Sequence, residues 1–85
     1  MSNLSITVDE CDYTVEEDHG GDVIRVIDAT GYRIADAERD HACEDVYFSY
    51  FEKGEGNVGS ACQSALFHKT NVELASWLVS THPCN

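Results

Sequence analysis

Basic residues are scarce. Five Lys and Arg stand against 16 Asp and Glu in 85 residues, a formal net charge of -11 with an isoelectric point near 4.4. So few cations argue against direct nucleic-acid binding, whose affinity comes from Lys and Arg displacing counterions from phosphates. Long apolar runs are missing too, and nothing approaches the roughly 18 to 20 residues of a membrane helix. Residues 1–12 hold neither a basic stretch nor an apolar core of the secretory type, so the expected setting is the cytoplasm, with no membrane partner. There is one Pro and 42% of residues are hydrophobic, which argues against disorder. Cys11, Cys43, Cys62 and Cys84 include no C-x-x-C pair. In a reducing compartment they read as thiols, mostly buried as small hydrophobes. The His19-Gly20-Gly21 turn lacks the helix and Lys of a phosphate-binding loop.

What is present is acid, and it is placed unevenly. Residues 1–45 hold 13 acids and three bases, while residues 46–85 hold three acids and two bases. The densest stretch contains Asp9, Glu10, Asp12, Glu16, Glu17, Asp18 and Asp22; a second group contains Asp36, Glu38, Asp40, Glu44 and Asp45. The chain reads as one domain over residues 1–85, small enough to bury only about 60% of its unfolded surface. It should therefore gain from a partner or a second copy.

The first 36 residues read as strands. Leu4, Ile6 and Val8 alternate with polar residues, and Cys11, Tyr13 and Val15 alternate in the shifted phase. A two-residue turn at Asp9-Glu10 reconciles the phases, pairing Val8 with Cys11, Ile6 with Tyr13 and Leu4 with Val15. Asp-Glu is a poor pair for such a turn, and one long bulged strand is the competing reading. A second hairpin closes at Asp28-Ala29-Thr30-Gly31, with Asp first and Gly fourth as a type I turn ending in left-handed glycine requires. That geometry pairs Asp28 with Tyr32, Val26 with Ile34 and Ile24 with Asp36. It puts Ile24, Val26 and Ile34 on one face and Arg25, Ile27, Arg33 and Ala35 on the other.

From residue 37 the expected period is helical. Cys43, Val46, Tyr47, Tyr50 and Phe51 fall at i, i+3, i+4, i+7 and i+8, with Asp36 as N-cap and Gly54 as stop. The alternative is a strand, since Tyr and Phe favour sheets. Val58, Ala61, Cys62, Ala65 and Leu66 suggest a second helix after Asn57, weakened by Gly59. Thr70-Asn71-Val72-Glu73 has the capping-box spacing, opening a last helix through Leu74, Ala75, Trp77, Leu78 and Val79 that stops before Pro83. The expected fold is α+β: a small antiparallel meander of three to four strands over residues 1–36, then two or three helices over 37–85.

Chemistry-bearing groupings are few. His41-Ala42-Cys43 and His82-Pro83-Cys84 are two H-x-C pairs, and four such ligands suit tetrahedral zinc. The spacing departs from zinc-site patterns, and helical residues 41 and 43 would point roughly 200° apart. The preferred reading is a surface His41, a core-facing Cys43 and a frayed tail. Cys62, His68 and Asp45 are the best candidates for a nucleophilic site, but Cys62 reads as a helix core residue, and a buried thiol is inert. No catalytic residue, metal or cofactor is therefore expected. The candidate site is partner-binding: Asp9, Glu10, Asp12, Glu16, Glu17, Asp18, Asp22, Glu38, Asp40, Glu44 and Asp45. These carboxylates would meet Lys and Arg on a basic protein surface, with Coulomb attraction speeding association. The rival surface is the nearly neutral second half around Trp77 and Leu78, a candidate homodimer or assembly face whose acids elsewhere serve only solubility.

In size, in its charge of -11, in its compactness and in its lack of catalytic motifs, the whole chain resembles the small acidic inhibitor proteins of phages and mobile elements, of anti-CRISPR and anti-restriction type. That resemblance implies a protein in the host cytoplasm that blocks a nucleic-acid-handling complex by occupying its DNA or RNA site. It rests on general character, so no functional residue carries over from it.

Overall fold

Alternation of apolar and polar residues dominates the first half of the chain and produces its first two hairpins. In the computed structural model, which describes residues 2–83, β1 (Ser2–Val8) and β2 (Cys11–Asp18) pair antiparallel with Val8 opposite Cys11, Ile6 opposite Tyr13 and Leu4 opposite Val15. Asp9 and Glu10 form the two-residue turn, both with positive φ (51° and 68°), as a type I′ turn requires. Neither is glycine, so the turn carries backbone strain that the flanking ladder holds in place.

A short 3-10 turn (His19–Gly21) leads to β3 (Val23–Ile27) and β4 (Arg33–Asp40). The expected turn at Asp28–Gly31 forms: Gly31 N–H donates to the Asp28 carbonyl at 3.0 Å, Asp28 N–H donates to Tyr32 O at 2.9 Å, and Gly31 has φ 92°. Beyond the turn the expected register is off by one. Ile27 pairs with Arg33 but Val26 with Ala35, so Ile34 is an extra, bulged residue. Ala35 and Ala37 therefore share the buried face with Ile24 and Val26, and Asp36 lies on the far side.

From residue 37 onward the expected architecture is overturned. Residues 37–40 continue β4, and residues 45–52 form β5 (Asp45–Glu52), an eight-residue strand. Val46, Phe48 and Tyr50 are buried while Tyr47 is exposed, a period of two. The positions at helical spacing share Val46 and Tyr50 with this alternating set, which adds Phe48, and the sheet preference of Val, Tyr and Phe decides between the two periods once β4 offers an unpaired edge. Asp36 is thus no helix cap, and Gly54 (φ 88°) sits in a hairpin turn. The second expected helix is β6 (Gly56–Cys62), paired with β5 through a bulge at Tyr50/Phe51; only a 3-10 turn (Ser64–Leu66) follows it. Among the described residues the result is one six-stranded antiparallel sheet in the order β1-β2-β3-β4-β5-β6, mostly sheet with one helix.

That helix, α1 (Asn71–Thr81), opens on the expected capping box. Glu73 N–H donates to Thr70 Oγ1 at 3.1 Å and Thr70 N–H donates to Glu73 Oε1 at 2.9 Å. It buries Leu74, Ala75, Leu78 and Val79 against one face of the sheet, where Val15, Ile24, Val26, Ala35 and Val46 are fully enclosed. A helix about 10 to 12 Å across cannot span six strands set about 4.8 Å apart. Leu66 and Trp77 extend the cover toward β5, Trp77 meeting the Phe48 ring edge-on at 5.2 Å. Among the described residues no element covers the sheet's other face.

Arg39 ties the helix start to the sheet. Its guanidinium donates to the carbonyls of Gly21 (3.0 Å), Phe67 (3.3 Å) and Lys69 and to Asn71 Oδ1. Asn71 Nδ2 donates in turn to Gly21 O and to Glu17, which also accepts from Ser2 Oγ at 2.9 Å. Among the described residues no buried side-chain polar atom lacks a partner.

Candidate partner-binding surface

Strand alternation determines which acids meet on the uncovered face. Residues directly opposite in an antiparallel ladder share a face. Working outward from the buried set, that face carries Asp12, Glu16 and Asp18 from β2; Asp36, Glu38 and Asp40 from β4; and Asp45 from β5. Same-face residues along one strand are about 6.8 Å apart, so β2 and β4 each present a row of carboxylates. β3 separates them with Val23, Arg25 and Ile27.

Two arginines lie on this face. Arg25 is opposite both Glu16 and Asp36 and sits 3.6 Å from Asp18; Arg33 is 3.7 Å from Asp36 and lies over the Phe51 ring at 4.5 Å. These exposed or half-exposed pairs hold side chains in place more than they stabilise the fold. Burial pushes the Asp36 carboxyl up despite both arginines. The backbone N–H of His19 holds Asp18 below its ordinary value. Between β3 and β6 the face has a shallow depression of about 300 Å³ lined by Val23, Asp36, Glu38, Tyr47, Ser49 and Ser60. The Cys43 and Asp40 charges push the Tyr47 hydroxyl up, and Asp40 does the same to the Cys43 thiol.

The eleven acids singled out from the sequence divide into groups. Asp12, Glu16, Asp18, Glu38, Asp40 and Asp45 share the uncovered face. Glu44, with φ 51°, lies in the β4–β5 turn beside Asp45. Asp22, in the loop before β3, accepts from His41 Nε2 at 2.8 Å. Asp9 and Glu10 are at the opposite end of the sheet, in the β1–β2 turn. Glu17 faces the helix, where bonds from Asn71 and Ser2 hold its carboxyl down. Asp36 joins the face although the helical period had made it a cap. The i, i+2, i+4 spacing of Asp36, Glu38 and Asp40 around Ala35, Ala37 and Arg39 was the available signal.

The other expectations change with the fold. Cys11, Cys43 and Cys62 are exposed, so the reading of Cys43 and Cys62 as core residues is wrong; both sit on turn or edge-strand backbone. His82 is buried, its Nε2 2.8 Å from Phe51 O, at the opposite end of the sheet from His41, which packs edge-on against Phe67. Cys84 of the second H-x-C pair lies outside the described residues. Among the described residues no group of three or more His, Cys, Asp and Glu is placed to hold a metal ion. The neutral half is not a free helical face, because Leu78 and Val79 are core and Trp77 packs on Phe48. No helix among the described residues is long and apolar enough to cross a membrane.

The residues thus define a class of structure, a six-stranded meander backed by one helix with an acidic uncovered face. No family model matches the chain, and no curated protein or solved structure matches it either.

Proposed function

We propose that this chain is a small, non-enzymatic binding protein that inhibits a nucleic-acid-handling complex by occupying its basic nucleic-acid-binding surface. The observation that carries this reading is the pair of carboxylate rows on the uncovered face. Seven carboxylates against Arg25 and Arg33 leave five net negative charges. From Asp12 to the level of Asp40 and Asp45 the face runs about 27 Å, roughly one net charge per 5 Å of strand axis. A nucleic-acid strand carries one per about 3.4 Å, and a duplex twice that. The charge density is therefore about two-thirds that of a single strand, on a scaffold whose ladder hydrogen bonds fix the spacing. Arg39 is turned inward, which removes one of the five cations from competition. The setting that fits is the host cytoplasm, in keeping with the resemblance to anti-CRISPR and anti-restriction inhibitors.

The test is a nuclease-treated pull-down from host lysate washed at low and at high salt, repeated with Asp12→Lys/Glu16→Lys/Glu38→Lys. A basic nucleic-acid-binding complex retained at low salt, lost at high salt and lost with the triple variant is expected, since exposed charges are screened over about 8 Å at physiological ionic strength. Retention of the same complex by a folded triple variant would overturn the reading.

A further inference from the structure

We propose that the free edge of β1 accepts an extended segment of a basic partner by strand addition. The segment would carry the pattern basic, apolar, small polar, apolar, basic. This rests on the reading that the acidic face meets a basic partner, and it names the chain conformation and side-chain order which that partner presents.

β1 is an end strand, and its pairing with β2 runs from Ser2 to Val8 without a register shift. The two-residue turn closes at Val8 opposite Cys11, which makes that pair hydrogen-bonded. By alternation Ile6 and Leu4 also bond to β2, so the N–H and C=O groups of Asn3, Ser5 and Thr7 point away from the sheet. All three residues are exposed. Edge strands of this length are ordinarily blunted by a charge, a proline or a bulge. β1 has none of these, in a protein with 16 acids.

The side chains select the occupant. On the uncovered face β1 carries the short Asn3, Ser5 and Thr7, whose cross-strand neighbours are Glu16, Thr14 and Asp12. An added strand lies about 9.6 Å, two strand spacings, from β2. Lysine or arginine opposite Asn3 and Thr7 spans that gap over the small side chains to Glu16 and Asp12. The position between them, opposite Ser5 and Thr14, offers no charge. On the helix face the added residues lie beside Leu4 and Ile6, which pack into the core, so apolar side chains fit there. β6 is also uncharged and largely exposed, but it pairs through a bulge, and its neighbour β5 sets Tyr47, Ser49 and Phe51 on the uncovered face and has Glu52, opposite Gly56, as the one charge along the paired stretch, so no pair of carboxylates selects a basic segment. A second copy on β1 would bring two acidic rows toward each other and supply no cation.

The probe is a soluble peptide with the core Lys-Val-Thr-Val-Lys, added to the ¹⁵N-labelled protein at low salt. The expected result is slowed hydrogen exchange at the amides of Asn3, Ser5 and Thr7. Affinity should fall at least about tenfold when the peptide's β1-facing amides are N-methylated, and also when Glu replaces both lysines. Equal binding of the N-methylated peptide, or no binding of the parent peptide while polylysine still binds, overturns strand addition and leaves the acidic-face reading standing. Failure of polylysine to bind overturns the acidic-face reading itself. Protection of the same three amides in the protein alone, with a dimer mass, overturns the basic occupant in favour of a second copy.

Discussion

Replacing Arg39 with alanine removes the one side chain among the described residues that joins the 3-10 turn before β3, the loop before α1 and the helix start to one point on the sheet. Its guanidinium donates to the carbonyls of Gly21, Phe67 and Lys69 and to Asn71 Oδ1. Each bond to a charged donor contributes a net of about 1.5 to 3 kcal/mol, so four taken at full value come to about 6 to 12 kcal/mol. That is as large as the whole stability expected of 85 residues, about 4 to 13 kcal/mol. The group is only partly buried, so water replaces a share of the bonds, and we expect Arg39→Ala to cost about 3 kcal/mol. For a domain of this size the melting temperature should fall by about 12 to 24 °C. Arg39→Lys keeps the charge but cannot reproduce the planar fork, so it should recover less than half the loss. Because the bonds are short-range and shielded, the cost should persist at high salt. Urea and thermal unfolding followed by circular dichroism measure all of this. A loss below about 1 kcal/mol for Arg39→Ala, or a lysine variant equal to wild type, would refute the account of Arg39 as the tie between layers.

Asp9→Asn with Glu10→Gly replaces two strained left-handed residues by the pair the type I′ turn prefers, and should stabilise by about 1 kcal/mol or more in urea titration. Asp36→Asn should raise the melting temperature at pH 7. Burial lifts the Asp36 carboxyl above its ordinary 3.8, so its contribution is favourable below that pH and is lost as pH rises through the folded value. The gain should vanish in acid, where wild-type Asp36 is itself neutral. Glu17 and Glu73 behave oppositely: hydrogen bonds hold both below the ordinary 4.5, so their contribution is present above that pH and lost as pH falls through the lower folded values. Thermal melts between pH 7 and pH 3 should show Glu17→Gln losing part of the wild-type decline below pH 4.5. Ala37→Leu, beneath the helix, should cost about 1 to 3 kcal/mol through overpacking.

Much of the fold was legible where local chemistry is unambiguous. Period-two alternation with a reversal at Asp9-Glu10 determined β1, β2 and their register, and Thr70 to Glu73 determined the start of α1. The Asp28–Gly31 turn was readable but its consequence was not, because the bulge at Ile34 depends on how β4 meets β3. Residues 45–52 satisfied helical and strand periods alike, and β6 satisfied neither well. Their identity was decided by the unpaired edge of β4 and then of β5, a long-range hydrogen-bonding demand that no local pattern records. The site followed the same division. The sequence by itself determined that acid outweighs base threefold and is concentrated in the first half. Only the tertiary structure decided that Asp36 stands with Glu38 and Asp40, that Glu17 turns to the helix, and that Arg39 is spent inside. Pairing fixes which face each side chain takes, and a shift of one residue reverses the assignment.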